Sequence, residues 1–233
     1  MSIYLLAYPR SGSSLTRFVI GKRLNTLPMQ STNTCEMEEF FPGVGNDLDF
    51  RKFHAPSEYG HAIVEKSADT LLMLLRNPVE NIVSYHRAKN KSEMTHAEEV
   101  TMVNNFVSSG EFMLQMSILN VNIRRYASWA RNKAILRYED LMINEEKFCK
   151  DMSAALSTDF STDFLEQIPI LKTKMMNLKT RPTDPFRINT AGNDNFYFRK
   201  MLNEMNQEKI TTFLLESIYG EIFDEQYDKV TIP

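Results

Sequence analysis

The chain has 233 residues, 42% of them hydrophobic and 24% charged, with a formal net charge of −3. Such a chain fits one domain, residues 1–233, with a sizeable core. The mild charge gives no general attraction to nucleic acid or membrane, so any anion site must be local. The two cysteines, Cys35 and Cys149, show neither a disulfide framework nor metal spacing and suit a reducing cytoplasm. No apolar run reaches the about 18 residues that a membrane helix needs, and the N-terminus lacks a signal-peptide pattern.

In chain order, Ile3–Tyr8 reads as a short buried strand that leads into a helix starting near Gly12. Weaker strand candidates follow near Thr26–Met29 and Lys52–Phe53. Leu71–Arg76 reads as a strand ahead of a helix at Pro78, a residue suited to the first helical turn. Thr95 to Arg131 reads as helical, with Val103, Phe106, Val107 and Met113 on its apolar positions. Ala134–Tyr138 reads as a further strand with a helix from Glu139, and further helices are expected around Thr162–Asn177 and Phe196–Tyr219. There is no internal repeat or low-complexity linker. Alternating strands and helices predict an α/β fold, with a mainly parallel central sheet flanked by helices and a helical C-terminal third. Ligands then belong at the carboxyl ends of the strands, at Tyr8–Ser14, at Arg76–Ser84 and after Tyr138.

The first of these segments fits the frame of a nucleotide-binding P-loop without its lysine, as Ala7-x-x-x-x-Gly12-Ser13-Ser14. Gly12 permits close approach of an anion, the following amides can meet it at a helix N-terminus, and Ser13 and Ser14 add hydroxyls. The cation sits at Arg10 instead. A kinase also needs a strand-end Asp for Mg²⁺. Leu71–Leu75 ends in Arg76, and the next strand offers only Asp140 beyond its end. The loop therefore suits a metal-free anion held by amides, hydroxyls and a guanidinium. A plain strand–turn–helix connection with a surface arginine is the simpler alternative. In the second segment Arg76 and Ser84, eight residues apart, can grip one anionic group.

Together these segments resemble the sulfotransferases that use 3′-phosphoadenosine 5′-phosphosulfate (PAPS). The family's 5′-phosphosulfate loop, YPKSGTTW, stands here as Tyr8-Pro9-Arg10-Ser11-Gly12-Ser13-Ser14-Leu15. Its 3′-phosphate motif of Arg, Pro and Ser matches Arg76, Pro78 and Ser84. The RYEDL-like segment is Arg137-Tyr138-Glu139-Asp140-Leu141, and the RKGxxG loop survives in outline as Arg187-Ile188-Asn189-Thr190-Ala191-Gly192. The resemblance implies a P-loop-like sulfotransferase fold and a PAPS donor that leaves as 3′,5′-diphosphoadenosine, with no metal. It implies a donor site of Arg10, Ser11, Gly12, Ser13, Ser14, Arg76 and Ser84, helped by Arg187 and Gly192.

In many small-molecule members the base lies in a Lys-x-His segment, which Lys52-Phe53-His54 matches in position and spacing. Strand alternation puts Lys52 and His54 on one side, and a histidine titrates near working pH. His54 is then the general base, with Lys52 and Arg10 on the transferring and leaving oxygens. The alternative is a half-buried polar histidine. His61 and His96 read as surface residues, and His86 follows the 3′-phosphate helix.

Three departures bear on function. Arg10 replaces the loop lysine. Leu15 replaces a tryptophan that packs on adenine, so the stacking partner must come from elsewhere, with Phe196 and Tyr197 as candidates, while Trp129 reads as a core residue. Ile188 and Asn189 replace the second basic residue and first glycine of the C-terminal loop. Glu38, Glu39, Phe40 and Phe41, with their acidic and aromatic neighbours, are candidates for an acceptor pocket. Such a mixture suits a small cationic acceptor, such as an amine- or guanidine-bearing natural product, or else a solvated loop. The partners implied are a small molecule, no nucleic acid and no membrane. A degenerate P-loop small-molecule kinase and a catalytically inactive nucleotide-binding module remain as alternatives.

Overall fold

Four parallel strands carry several of the candidate site residues at or just past their carboxyl ends. The strands belong to a computed structural model that describes residues 2–26, 49–54, 69–90, 94–127, 132–159, 162–179, 197–215 and 217. The chain falls into two compact units, each drawn from two separated stretches. Met1–Arg76 joins Trp129–Ile188 in the first unit, and Asn77–Ser128 joins Asn189–Pro233 in the second.

In the first unit, β1 (Ser2–Ala7), β2 (Asp49–His54), β3 (Thr70–Leu75) and β4 (Asn132–Arg137) pair in the order β2-β1-β3-β4, all parallel. β1 and β3 are continuous apolar runs, and β3 is buried throughout. Runs of that kind form where helices cover both faces of a sheet. β4, at the edge, enters through exposed Asn132 and Lys133 and becomes buried only at Leu136 and Arg137. Three strands fall where the sequence places them. The weaker candidate at Lys52–Phe53 extends to a six-residue strand, Asp49–His54. Near Thr26–Met29, Thr26 is buried outside any strand, and the rest lies outside the described residues.

Helix α1 (Ser13–Leu24) buries Leu15, Phe18 and Val19 and stops at Asn25, whose φ of 48° is left-handed. Asparagine tolerates that region well, and its N–H closes the helix on the carbonyls of Gly21 and Lys22. After β4 come α5 (Tyr138–Ile143), α6 (Glu145–Leu156), α7 (Thr162–Leu165) and α8 (Gln167–Lys179). The side chain of Asn144 accepts from the Lys147 N–H to start α6, with Glu145 and Glu146 in its first turn. α6 packs on β3 and β4, and α8 on α1. The resulting core includes Leu5, Phe18, Leu72, Leu74, Phe148 and Met152.

The second unit holds α2 (Pro78–Asn90), α3 (His96–Ser108), α4 (Gly110–Ala127), a 3₁₀ turn (Arg199–Met201) and α9 (Glu204–Leu215). The Asn77 side-chain oxygen accepts from the Val79 N–H at 3.0 Å and starts α2. Thr95 and Glu98 form a reciprocal capping box on α3. The helical stretch expected from Thr95 to Arg131 is two helices, because Ser109 interrupts it. The Ser109 hydroxyl donates to the Phe106 carbonyl at 2.6 Å and accepts from the Phe112 N–H at 3.3 Å. Serine competes with helical bonding in this way, and Gly110 follows it. Similarly, Asn203 caps α9 through the Asn206 N–H, which separates the helix from the 3₁₀ turn. Among the described residues, no helix is long and apolar enough to cross a membrane.

Cys149 lies in the core with 3% of its surface exposed. Burial, aided by Glu145, pushes its thiol up to about 12. Native protein at pH 8 should therefore leave Cys149 unlabelled by iodoacetamide, and denatured protein should label it, as read by peptide mass mapping. Because the unfolded thiol ionises earlier, near the usual value of about 8.5, this group contributes a loss of stability as pH rises above that value.

Candidate active site

Each of the four strands ends at or just before a residue that the sequence singled out. β1 runs into Tyr8–Ser14, β2 ends at His54, and Arg76 and Tyr138 directly follow β3 and β4. Pairing sets Ala7 beside His54 on one side and beside Leu74 on the other. Lys52 is half-buried, two residues before His54 in the same strand.

The loop after β1 is turned by two left-handed residues, Arg10 with φ 71° and Gly12 with φ 84°. The Ser11 N–H donates to the Tyr8 carbonyl at 3.2 Å, and the Thr16 N–H to the Gly12 carbonyl at 3.1 Å, the first bond of α1. No side chain caps that helix start, and a helix start of this kind can receive an anion. Ser11 is fully buried, Ser13 nearly so and Ser14 half-buried. The hydroxyls of Ser11 and Thr16 have no hydrogen-bond partner among the described residues. A buried hydroxyl without a partner costs about 1–3 kcal/mol, a cost that persists at sites completed by a ligand.

Gly12 is required here for a second reason besides its backbone angle. A Cβ at this position would overlap Cδ2 and Cε2 of the Tyr138 ring. Tyr138 in turn carries the Arg76 guanidinium 5.0 Å from its ring centroid. Arg76 Nη1 donates to the Arg10 carbonyl at 3.0 Å, so the strand-end arginine holds the loop's backbone. Burial pushes the Tyr138 phenol above its ordinary range, against the opposing pull of Arg76 and Arg10. It therefore stays protonated at neutral pH.

The Arg-Tyr-Glu-Asp-Leu segment anchors this ring. Arg137 Nε and Nη2 grip Asp140 at 2.8 and 3.2 Å. Lys147 reaches Asp140 at 2.7 Å and Asp151 at 2.9 Å. Burial pulls the Lys147 ammonium down, but these two carboxylates outweigh it and leave the group above its usual value. Asp140, the one candidate for a strand-end metal ligand, thus already serves two cations.

In the second unit, Ser84 lies half-buried in α2, the helix that starts at Pro78. Glu80 is buried and accepts from the Arg199 N–H at 2.9 Å. His86 stacks on Phe106 at 3.7 Å with the rings 14° apart. Burial lowers its imidazole below the ordinary value, against the pull of Glu111 and with that of Lys89. Tyr197, a candidate adenine platform, donates its hydroxyl to Glu99 at 2.5 Å and meets Phe198 edge-on. Glu99 also pairs with Arg87 at 2.6 Å. His96 is exposed, as expected, and Leu15 is part of the core. Glu38, Glu39, Phe40, Phe41, Arg187, Gly192, Phe196, Trp129 and His61 lie outside the described residues. The sequence reading missed Tyr138 as the ring over the loop. Its only signal was an aromatic residue directly after a strand.

Two substitutions test this geometry. Gly12→Ala should cost more than the about 1–2 kcal/mol of one left-handed residue, because the Tyr138 ring must also move; a variant of wild-type stability in urea would refute that packing. Asp140→Asn leaves Arg137 buried without its countercharge and should cost about 3–5 kcal/mol, measured by urea unfolding at neutral pH.

No protein-family model and no curated protein matches the chain. Among solved structures, the chain is similar to mouse sulfotransferase SULT7A1 complexed with PAP. The TM-score is 0.51 at 16% identity, with 92% of this chain and 82% of that one covered. It is also similar to the sulfotransferase domain from the curacin biosynthetic pathway, at TM-score 0.51 and 14% identity, covering 91% and 96% respectively. At these identities the likeness is one of architecture: the chain has a sulfotransferase fold, a parallel four-stranded sheet flanked by helices.

Proposed function

We propose that this protein is a sulfotransferase that moves the sulfuryl group of PAPS to a hydroxyl or amine of a small-molecule acceptor. The observation that carries the reading is the loop after β1. Two left-handed residues, an uncapped helix start and the buried, unpartnered hydroxyl of Ser11 make a cradle for an anionic ester. That donor set of amides, hydroxyls and the Arg10 guanidinium fits a phosphosulfate. It lacks the lysine and the available strand-end carboxylate that a nucleoside triphosphate with Mg²⁺ would use. PAP in the mouse neighbour supports the same donor.

The donor supplies a sulfuryl group activated by its anhydride link to phosphate. The chain's residues supply the rest. Arg10, Ser11, Gly12, Ser13 and Ser14 bind the 5′ end and neutralise charge that builds on the leaving phosphate. Arg76 and Ser84 bind the 3′-phosphate, with Arg187 and Gly192 assisting. Arg76 suits that role because a planar five-donor guanidinium can hold the loop carbonyl while offering a fork to phosphate. Lys52 stabilises the sulfuryl oxygens. His54, at the end of β2 and paired beside Ala7, takes the acceptor's proton. Glu38, Glu39, Phe40 and Phe41 receive an acceptor of cationic character. A cytoplasmic location suits the free, buried Cys149.

A thermal-shift comparison tests the donor. At about 100 times its Kd, 3′,5′-diphosphoadenosine should stabilise the protein by about 2.7 kcal/mol, or about 5–10 °C in Tm, without metal. Stabilisation by ATP–Mg²⁺ alone would overturn the reading in favour of a kinase. With labelled donor and a panel of amine and phenol acceptors, His54→Ala should lose about 10²–10⁴-fold in turnover and keep the diphosphonucleotide shift. Full turnover in that variant would move the base to another residue, and binding without transfer to any acceptor would indicate an inactive module.

A further inference from the structure

Helix α1 begins at the loop after β1 and carries three basic side chains, Arg17, Lys22 and Arg23. Lys22 is exposed, and Arg23 donates to the Asp159 carbonyl. Arg17 differs from both. It is half-buried, and its Nε is buried without a hydrogen-bond partner among the described residues. Its guanidinium carbon lies 5.6 Å from the Phe18 ring centroid. A ring face attracts the charge but leaves most of the five N–H donors unused. Burial lowers the group below its ordinary value, and among the described residues no carboxylate opposes that. The guanidinium nevertheless stays charged. A buried charge is costly until an opposite charge meets it.

Arg17 lies three residues after Ser14 and four after Ser13, so it neighbours both on the helix surface. Between Ser13 and Gly21, Ser14 and Arg17 alone are half-buried rather than buried. The two therefore share the open edge of α1. Long helical side chains lean toward the N-terminus over the preceding turn, which here is the helix start of the anion cradle. Arg17 lies two residues beyond the loop motif, which ends at Leu15. We propose that Arg17 is a further cation of this cradle, binding the 5′-phosphate end of the donor from α1 while Arg10 holds it from the loop. The assignment rests on the PAPS reading given above. On that reading Arg76 serves the 3′ end, and Arg17 brings the 5′ end a planar fork of donors. The bound anion in turn supplies the countercharge that Arg17 lacks.

Isothermal titration calorimetry on the full chain tests this with 3′,5′-diphosphoadenosine, adenosine 3′-monophosphate and inorganic pyrophosphate. Arg17→Met keeps the apolar stem and removes the charge. It should weaken the diphosphonucleotide and pyrophosphate about 10–100-fold, the effect of losing a hydrogen bond to a charged group. Binding of the 3′-monophosphate should stay unchanged. Arg17→Gln should give the same pattern. Neither variant should unfold at lower urea without ligand, because the lost charge had no partner. Undiminished binding of pyrophosphate and diphosphonucleotide, an equal loss for the 3′-monophosphate, or a loss matched by a fall in stability in both variants would overturn the inference. Wild-type protein that binds pyrophosphate but neither nucleotide would remove the PAPS reading alone, and pyrophosphate would then decide the role of Arg17. Binding of none of the three would remove both.

Discussion

The contact on which the site depends is that between the Tyr138 ring and the bare Cα of Gly12. It fixes how the chain leaves β1. With a side chain excluded, the loop can take its left-handed turn and bring Arg10 and Ser11 around ahead of α1. Arg76 completes the arrangement by lying over the same ring and bonding the Arg10 carbonyl. A left-handed arginine costs about 1–2 kcal/mol, and strain of that kind persists where surrounding structure holds it. Gly12, Arg76 and Tyr138 follow three neighbouring strands, β1, β3 and β4. Their order in the sheet is therefore part of the site's construction.

Behind Tyr138 stands an ion cluster that explains why the segment after β4 is so polar and yet buried. Arg137 and Asp140 are both nearly inaccessible, and Lys147 joins them from α6. A buried pair of this kind adds little net stability relative to apolar packing but is costly to break. Its effect is to fix α5 in one position. With Asp140 held from two sides, the short helix cannot rotate, and the ring at its first position stays over the glycine.

Local signals made much of this legible. Apolar runs ending in polar residues located β1, β3 and β4, and Pro78 located the start of α2. The glycine after Arg10 marked a backbone that had to turn. What escaped depends on contacts distant in sequence. Gly12 and Tyr138 are joined only by the sheet, and no periodicity predicts which ring meets which glycine. The Tyr197 hydroxyl reaches Glu99, nearly a hundred residues away, a contact that no local pattern predicts. The break at Ser109 was missed for the opposite reason. Its cause is local, a hydroxyl competing for helix bonds, but the apolar pattern runs through it undisturbed.

The exchange of lysine for arginine in the loop is best understood through this geometry. A lysine acts as a flexible point charge and can follow a group as it transfers. Arg10 is held differently, because its own backbone is left-handed and its carbonyl is tied to Arg76. A guanidinium on such a fixed stem suits steady binding of a phosphate better than pursuit of a moving one. In the sulfotransferase proposed above, charge developing on the sulfuryl oxygens is assigned to Lys52, which sits on β2, the strand paired to β1. The protein's overall acidity does not oppose this, since Debye screening over about 8 Å isolates the loop from distant carboxylates. Close to the loop, Arg76, Arg10 and the buried Glu139 all act on the Tyr138 ring. On the proposed function, the β1 loop holds the donor and β2 carries the groups that react.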